Sequence, residues 1–522
     1  MCAVLQAGRN CWRIESANRF ALLIDGADYY SAVATAIRRA QRSVALLAWD
    51  FDTRTHLVEH GPDQHTGPLR QFFRDVVDHN PNLRIAILAW DFPLLFANVR
   101  DPNLIQNEDP FAHPRICFHF DHNHPPGASH HQKIVAVDGQ LAFAGGMDFA
   151  GGRWDTSEHR AQDPRRGYAA THDVQALVDG AAAAALADIV RDRWNRAAQP
   201  PLPPPEPASD PWPENLPADL TNVAVAISRT NPLTSCREIE TLHLDLIAAA
   251  REFLYMENQY LTSTVIVDAL SRRLQEPEGP EIILVLPLNN SGWLEDHTIE
   301  ALRYRKIREL RMADRFGHLR ICYPTVEDIG TESIVVHSKI MFVDDHLFRI
   351  GSANLTDRSM ALDTECDLAV EAADEHQQRG IARLRNRLIG EHLDLSPDQV
   401  EACLANDRSL IRLIDACSGQ RRCLRSLPDD GGATQILSDK LVDPAQPLTP
   451  AFVMKTVGAS VARSGWFWIG TGVVAGLAAA ILLRRYLTAS RPPLLPATAD
   501  GPTRRAPERL FEQNSSEPVS PN

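Results

Sequence analysis

The sequence predicts an α/β protein built from two similar α/β sandwich halves, and three observations support this prediction. A motif of the form H-x-K-x4-D occurs twice, 206 residues apart. Gly145 and Gly351 each begin a run of small residues fourteen positions after the motif histidine. Strand-like and helix-like segments also alternate on both sides of a proline-rich stretch. The two motifs consist of His131, Lys133 and Asp138, and of His337, Lys339 and Asp344.

Chance is a poor explanation for this repeat. The chain has five lysines, and two of them occupy the same motif position. One such triplet is expected in roughly one chain in a hundred, and a matched pair far more rarely. We therefore expect two half-sites.

The first half is assigned to residues 10–197 and precedes a linker at 198–217, whose nine prolines exclude a helix or a central strand. Apolar periodicity predicts the elements on both sides of this linker. The helices of the first half are predicted at Tyr29–Gln41 and Gly180–Arg196, and its strands at Ser43–Trp49 and Arg84–Trp90.

The second half is assigned to residues 218–420 and repeats the alternation of strands and helices. Its strands are predicted at Asn222–Ser228, Phe253–Glu257 and Glu281–Pro287, and its helices at Arg237–Ala250, Val265–Leu274, Asp296–Met312 and within 374–418.

Each motif is predicted to lie on a β-hairpin. The segments after Lys133 and Lys339 are β-rich and end at a turn, and return strands are predicted at Leu141–Ala144 and Leu347–Ile350. Because side chains alternate along a strand, the histidine and lysine of one motif project from the same face and can reach one anion. Asp138 and Asp344 complete the motifs, and we expect them to hold the turn.

A membrane anchor is predicted near the C-terminal end, within residues 464–485. Gly465–Leu483 carries no charge, and a helix of this length spans about 28 Å, close to the hydrocarbon thickness of a bilayer. Tryptophans at one end and arginines at the other suit membrane interfaces. The alternative is a buried core helix. Gly472 and Gly476 form a GxxxG that could support a weak homodimer. A juxtamembrane segment at 421–463 and a disordered tail at 486–522 complete the assignment.

Bulk properties narrow the possible functions. The formal charge of -14 repels polyanions, so nucleic acid is disfavoured as a substrate or partner. The nine cysteines lack a C-x-x-C pair and read as reduced thiols, and the first twenty residues lack the apolar run of a secretory signal. We therefore expect the catalytic part to lie on the cytoplasmic face of the membrane. Three arginines follow the anchor and two basic residues precede it. Because positive charges favour the cytoplasmic side, this difference of one charge favours the opposite orientation.

Two half-sites brought together would form a phosphodiester-cleaving centre. One neutral histidine can attack phosphorus and form a phosphohistidine, while the opposite protonated histidine donates a proton to the departing alkoxide. Lys133 and Lys339 would neutralise the nonbridging oxygens in place of a metal. We therefore expect no metal and no cofactor.

Both motifs and their surroundings resemble the phospholipase D superfamily over most of residues 10–420. The strings that resemble phospholipase D proper most are Ser129-His-His-Gln-Lys133, Gly145-Gly-Met-Asp148, Gly152-Arg-Trp-Asp155, Glu257-Asn-Gln-Tyr260 and Gly351-Ser-Ala-Asn-Leu-Thr-Asp-Arg-Ser-Met360. The resemblance implies two α/β/α halves that share one active site. It also implies His131 as the nucleophile and His337 as the general acid and base.

The resemblance further implies supporting roles for four residues. Asp155 and Glu365 would orient the histidines, and Asp148 and Asn354 occupy the G-[GS]-x-[ND] slots, so Asn354 would contact the substrate together with the lysines. No calcium-binding or phosphoinositide-binding module of the kind found in some relatives precedes the core, so calcium dependence is not expected.

The implied activity is hydrolysis of the distal phosphodiester of membrane glycerophospholipids to phosphatidic acid and a head-group alcohol. The main alternative is a phosphatidyl transferase of the cardiolipin synthase type, in which an alcohol replaces water as the acceptor. A nuclease and a noncatalytic membrane scaffold are weaker alternatives.

Three local features admit two interpretations each. The histidines between His119 and His131 could bind a metal, although active-site lining or plain exposure explains them better. Trp49 and Trp90, each followed by an aspartate, either line the substrate mouth or only pack against neighbouring side chains. Glu257 supports the pocket or caps a helix.

Overall fold

A central β-sheet with helices on both faces forms the fold in the computed structural model. The structure describes residues 3–57, 67–91, 110–163, 165–205, 210–289, 293–327, 333–405, 407–429 and 439–452, together with the single positions 101, 104, 208 and 456. Both predicted halves lie within one unit, Met1–Gly465. A second unit begins at residue 466 and lies outside the described residues.

Eight strands precede the linker and ten follow it. Those of the first half are β1 (Arg13–Ile24), β2 (Ser43–Ala48), β3 (Arg84–Trp90), β4 (Ile116–Asp121), β5 (Ile134–Val137), β6 (Leu141–Gly145), β7 (Thr171–His172) and β8 (Val174–Asp179). Those of the second half are β9 (Leu220–Asn231), β10 (Cys236–Arg237), β11 (Phe253–Glu257), β12 (Glu281–Val285), β13 (Leu319–Val326), β14 (Val335–Val336), β15 (Ile340–Val343), β16 (Leu347–Gly351), β17 (Glu365–Glu371) and β18 (Arg422–Ser426). These counts refer to the described residues.

Both halves of the described part of the chain contain helices. They are α1 (Asp25–Arg39), α2 (Leu69–His79), α3 (Gly180–Ala197), α4 (Glu238–Ala249), α5 (Thr264–Leu274), α6 (Trp293–Ala313), α7 (Asp357–Ala361), α8 (Glu375–Leu393), α9 (Pro397–Leu404), α10 (Leu410–Ala416) and α11 (Asp439–Val442).

The strand order is duplicated about the middle of one continuous 16-stranded sheet. Outward from the centre, the first half runs β1-β8-β6-β5-β2-β3-β4, and the second runs β9-β17-β16-β15-β11-β12-β13-β18, with β10 paired to β9. The antiparallel pair β1 and β9 joins the halves. The repeat in the sequence is therefore a repeat in strand order, and the two motif hairpins, β5-β6 and β15-β16, occupy equivalent positions.

Period-two alternation divides the sheet's side chains between two faces. In β1, Phe20 and Leu22 pack into a core that includes α3 and α8, whereas Ala21 and Leu23 pack into a core that includes α1 and α2. A third core places α4 and α5 against strands of the second half. The shared core under α3 and α8 extends across both halves and fixes their relative position.

Most predicted elements agree with the structure. The bounds of β3 and β11 match the predictions, and the other predicted helices and strands overlap observed ones. The predicted separation by the linker is incomplete, because β1 and β9 join both halves in one sheet. The predicted anchor, Gly465–Leu483, lies outside the described residues. Within those residues, no helix has both the length and the hydropathy needed to cross a bilayer. The eight described cysteines are all free.

Candidate active site

The two motif aspartates hold tight turns at the ends of β5 and β15. Asp138 and Asp344 have left-handed backbones, with φ of 51° and 50°. The Asp138 carboxylate accepts hydrogen bonds from three successive backbone N–H groups at 2.7–2.8 Å. The Asp344 carboxylate accepts from three successive N–H groups of the other half at 2.8–3.1 Å. These bonds tie each hairpin to the strand beside it, which supports the predicted turn-holding role.

Each motif histidine is attached by its backbone to the opposite half of the chain. The His131 N–H donates to the carbonyl of Thr364 at 2.9 Å, and the His337 N–H donates to the carbonyl of His172 at 2.7 Å. The short parallel pair β7 and β14 precedes His337 directly. The two half-sites therefore meet at one place.

A carboxylate from the opposite half also holds each imidazole. His131 Nδ1 lies 3.0 Å from both carboxylate oxygens of Glu365, and His337 Nδ1 lies 2.6 Å from Oδ2 of Asp173. A carboxylate acceptor favours the tautomer with the proton on Nδ1, which leaves Nε2 as the nucleophilic or proton-carrying atom. Glu365 thus lies where the resemblance places it.

Asp155 requires a correction. We expected it to orient a motif histidine, but its Oδ2 accepts from His159 Nδ1 and from the Thr171 N–H, each at 2.9 Å, and it pairs with Arg166. Asp173 holds His337 instead. The duplicated strand order relates Asp173 to Glu365, because Asp173 comes immediately before β8 and Glu365 opens β17, the equivalent strand of the second half. The short sequence strings around the two residues do not resemble each other, so they give no indication of this equivalence.

The two lysines are buried beside their own histidines. Lys133 Nζ donates to the His131 carbonyl at 3.0 Å and lies 3.2 Å from Oδ2 of Asp148. Lys339 Nζ lies 3.3 Å from both Oε1 of Gln259 and Nδ1 of His337. Asp148 therefore anchors Lys133 from the G-[GS]-x-[ND] slot.

Asn354 fills the equivalent slot of the second half and differs from Asp148. Its backbone N–H donates to Oγ of Ser359 at 3.2 Å, and its buried Oδ1 has no hydrogen-bond partner among the described residues. A buried amide oxygen without a donor costs free energy unless a ligand supplies one. This fits the predicted substrate contact.

Electrostatics link the two half-sites. Burial lowers the pKa of His131 well below its usual value, and the charges of Lys133 and Lys339 lower it further. Burial also lowers the pKa of His337, with added contributions from Arg153 and the same two lysines. Because both lysines act on both rings, the imidazoles share one electrostatic environment, and it favours the neutral form of each ring.

Three more groups in the site titrate near neutrality. Burial raises the pKa of Glu365 to about 7 and that of Asp173 to about 6. Burial lowers the pKa of Lys339 to about 7, although Asp173 opposes the shift. Small changes in local charge on substrate binding will therefore change the protonation of this site.

A buried ionic network supports the site from below. Both ring nitrogens of His172 face carboxylates, with Nδ1 3.1 Å from Asp25 and Nε2 2.9 Å from Glu257. Glu257 also accepts from Oγ of Ser338, the residue after His337, at 2.7 Å. Glu257 therefore supports the pocket, and its interpretation as a helix cap was wrong.

This network contains the groups of the described residues whose spacing suits a metal. They are Asp25, His159, His172 and Glu391, and His172, Glu257 and His392. The carboxylates raise the pKa of His172 well above its usual value, and that of His159 to about 9, against the opposing effect of burial. The protonated forms of His159 and His172 are therefore stabilised by the carboxylates that surround them.

The histidine-rich loop before His131 is divided among separate contacts. Asp91 accepts from both His122 and His124, whereas His130 lies 3.0 Å from Oγ1 of Thr364. Trp49 stacks on Trp90 and contacts the His131 ring edge-on, with centroids 6.1 Å apart. Trp49 therefore lines the site, and Trp90 packs behind it.

Comparisons with known proteins agree with this geometry. Residues 243–381 match the family described as "Cardiolipin synthase, PLD-like domain". Phospholipase D A of Dictyostelium discoideum is 26% identical, with 72% of this chain and 36% of the relative covered. Phospholipase D1 of Saccharomyces cerevisiae is 25% identical over 52% of this chain and 22% of the relative. The chain thus spans well under half the length of these relatives.

Among solved structures, phosphatidylserine synthase of Haemophilus influenzae Rd KW20 superposes with a TM-score of 0.50. It covers 78% of this chain and 96% of that protein at 13% identity, which establishes a shared fold alone. The PLD-like domain and the phospholipase D relatives together support membership of the chain in the phospholipase D superfamily.

Proposed function

We propose that the chain is a phospholipase D that hydrolyses the distal phosphodiester of glycerophospholipids to phosphatidic acid and a head-group alcohol. The observation that carries this proposal is the reciprocal pairing of His131 with Glu365 and of His337 with Asp173 across the two halves. The arrangement supplies a nucleophile, an acid and two cations for one phosphodiester. The names of the relatives agree with this chemistry.

In the first step, Nε2 of His131 attacks phosphorus, and the bond from phosphorus to the head-group oxygen breaks. His337 donates its Nε2 proton to the departing oxygen, so a neutral alcohol leaves. The bound diester is an anion, and it raises the proton affinity of His337, which burial and the neighbouring cations lower. Asp173 stabilises the imidazolium, while Glu365 stabilises the positive charge on phosphorylated His131.

In the second step, neutral His337 accepts a proton from water as the water oxygen attacks phosphorus. The bond between phosphorus and His131 breaks, and phosphatidic acid is released. Lys133 and Lys339 offset the charge on the nonbridging oxygens in both steps. The proton that His337 takes from water replaces the one it gave to the head-group alcohol, so the protons balance over the two steps.

A phosphatidyl transferase is the second candidate, and the description of the family that matches residues 243–381 favours it. An alcohol of another lipid would replace water in the second step. The test incubates the purified protein with phosphatidylcholine or phosphatidylglycerol in EDTA, with and without a primary alcohol, and identifies products by mass. Phosphatidic acid alone supports hydrolysis, cardiolipin supports transfer, and no product from either lipid contradicts both candidates.

We also propose that Gly465–Leu483 anchors the protein in a membrane with the catalytic part on the cytoplasmic face, and that Gly472 and Gly476 of this segment support a weak homodimer. The length and neutrality of the segment support this proposal. Truncation after residue 463 should abolish flotation with phospholipid vesicles but preserve activity on detergent-dispersed lipid. Equal flotation of the truncated and full chains would contradict the anchor.

A further inference from the structure

Arg153 is a cation of the active site to which the proposed mechanism gives no role. Its backbone is fixed beside the β7-β14 pair, because Thr171 Oγ1 donates to the carbonyl of Gly152 at 3.4 Å, and the Tyr168 hydroxyl contacts the backbone N–H and carbonyl of Trp154. His337 directly follows β14. Apart from burial, the charge of Arg153 is the strongest influence lowering the pKa of His337. Because Gly152 is hydrogen-bonded to Thr171 of β7, and β7 pairs with the strand that leads into His337, the backbone at Arg153 lies on the His337 side.

The side chain of Arg153 also lacks the partner that comparable arginines have. No carboxylate in the described part of the chain forms an ion pair with it, and its buried Nε has no hydrogen-bond acceptor there. By contrast, Arg358, which follows the equivalent small-residue string of the second half, is neutralised by Asp363. The arginine on the His131 side is thus paired, and the arginine on the His337 side is available.

This asymmetry matters because the two sides of the phosphorus are chemically different. In an in-line displacement the nucleophile and the leaving oxygen lie on opposite sides of phosphorus. With His131 as nucleophile, the head group departs toward His337 and therefore toward Arg153. A guanidinium there also disfavours protonation of His337 unless an anion lies beside it.

We propose that Arg153 binds an acidic group of the departing head group, so that the preferred substrates are glycerophospholipids whose head group carries a carboxylate, such as phosphatidylserine. The proposal rests on the proposed phospholipase D activity and specifies its substrate. A planar guanidinium pairs with a carboxylate through two parallel hydrogen bonds, which gives both affinity and orientation.

The test compares hydrolysis of phosphatidylserine and phosphatidylcholine, each in the same detergent, by wild type, Arg153→Met and Arg153→Lys. Wild type should favour phosphatidylserine. Arg153→Met should lower kcat/KM for phosphatidylserine by about 10-fold or more and for phosphatidylcholine by less than about 3-fold, with Arg153→Lys intermediate. The matched control is Arg165→Met, whose side chain stacks on Trp154 and pairs with Asp163, and it should preserve the wild-type preference.

An equal loss on both lipids would overturn the inference, because Arg153 would then bind the phosphate that both lipids share. A wild type without preference for phosphatidylserine would overturn it as well. A wild type inactive on both lipids would instead overturn the proposed function. Inhibition of wild type provides a test that needs no variant: glycerophosphoserine should inhibit phosphatidylcholine hydrolysis more strongly than glycerophosphocholine, and equal inhibition would contradict the inference.

Discussion

Replacing Glu365 with glutamine most directly tests the proposed roles of His131 as nucleophile and His337 as general acid and base. The Glu365 carboxylate is buried, accepts from His131 Nδ1 at 3.0 Å and also accepts from Oγ of Ser352. The amide keeps the shape of the side chain but removes its charge. Because the ring of His131 becomes positive when it bonds to phosphorus, the lost charge should raise the barrier of the first step.

The magnitude follows from the distance. Two unit charges 3.0 Å apart interact by about 5 kcal/mol at an effective dielectric constant of about 20. The amide keeps a neutral hydrogen bond to His131, which offsets about 1 kcal/mol of this lost stabilisation. The remaining loss of about 4 kcal/mol corresponds to a fall in kcat of about 10³-fold.

The assay uses two substrates that differ only in the leaving group, phosphatidylcholine and a phosphatidyl nitrophenol. Nitrophenolate departs without a proton, so it bypasses the acid but still requires the nucleophile. Glu365→Gln should remain impaired on both substrates, whereas the matched variant Asp173→Asn should regain about 10-fold or more on the nitrophenol ester. Rescue of Glu365→Gln but not of Asp173→Asn would refute the assignment and exchange the roles of the two histidines.

Three further predictions concern the motifs and the pH dependence. His131→Ala and His337→Ala should each lower turnover on phosphatidylcholine by at least about 10³-fold, and retained activity in either would contradict its role. Asp138→Ala should lower the free energy of unfolding in urea by about 2–4 kcal/mol, because three backbone N–H groups lose a charged acceptor; an unchanged unfolding midpoint would argue against the turn-holding role. Since the pKa of Glu365 is raised to about 7, its carboxylate is lost as pH falls, and since that of Lys339 is lowered to about 7, its charge is lost as pH rises. A plot of kcat/KM against pH should therefore be a narrow bell, and a flat profile between about pH 4 and 10 would contradict this reasoning.

The apolar pattern of the sequence predicted individual strands and helices, but it did not predict which distant strands pair. β3 and β11 were located to the residue because each is a short, mainly apolar run with a charged residue at one end, Arg84 at the start of β3 and Glu257 at the end of β11. The pairing of β1 with β9 was missed, because the register of strands some 200 residues apart leaves no periodic signal in either segment. Each histidine and lysine pair was found because both lie within one motif.

The carboxylates were harder to predict than the motifs. Glu365 and Asp173 act on histidines of the opposite half, so neither is close in sequence to the ring it contacts. Asp155 was assigned from a string match alone, and the structure places it in the network below the site. Aligning β8 with β17 would have identified Asp173, but that alignment depends on the duplicated strand order.

The reciprocal contacts imply that neither half alone is a catalyst, and a cut linker can test this. Insertion of a protease site at the exposed residues 203–205 would break the chain without removing the β1-β9 ladder, which extends from Arg13 paired with Ile227 to Phe20 paired with Leu220. The buried core under α3 and α8 also crosses the junction. The cut protein should therefore remain associated and active, and it should lose activity when urea separates the fragments. Each isolated half would keep its histidine and lysine but lose the carboxylate that holds the ring. Turnover by one purified fragment would show that a half-site is sufficient and would remove the physical basis for a shared centre.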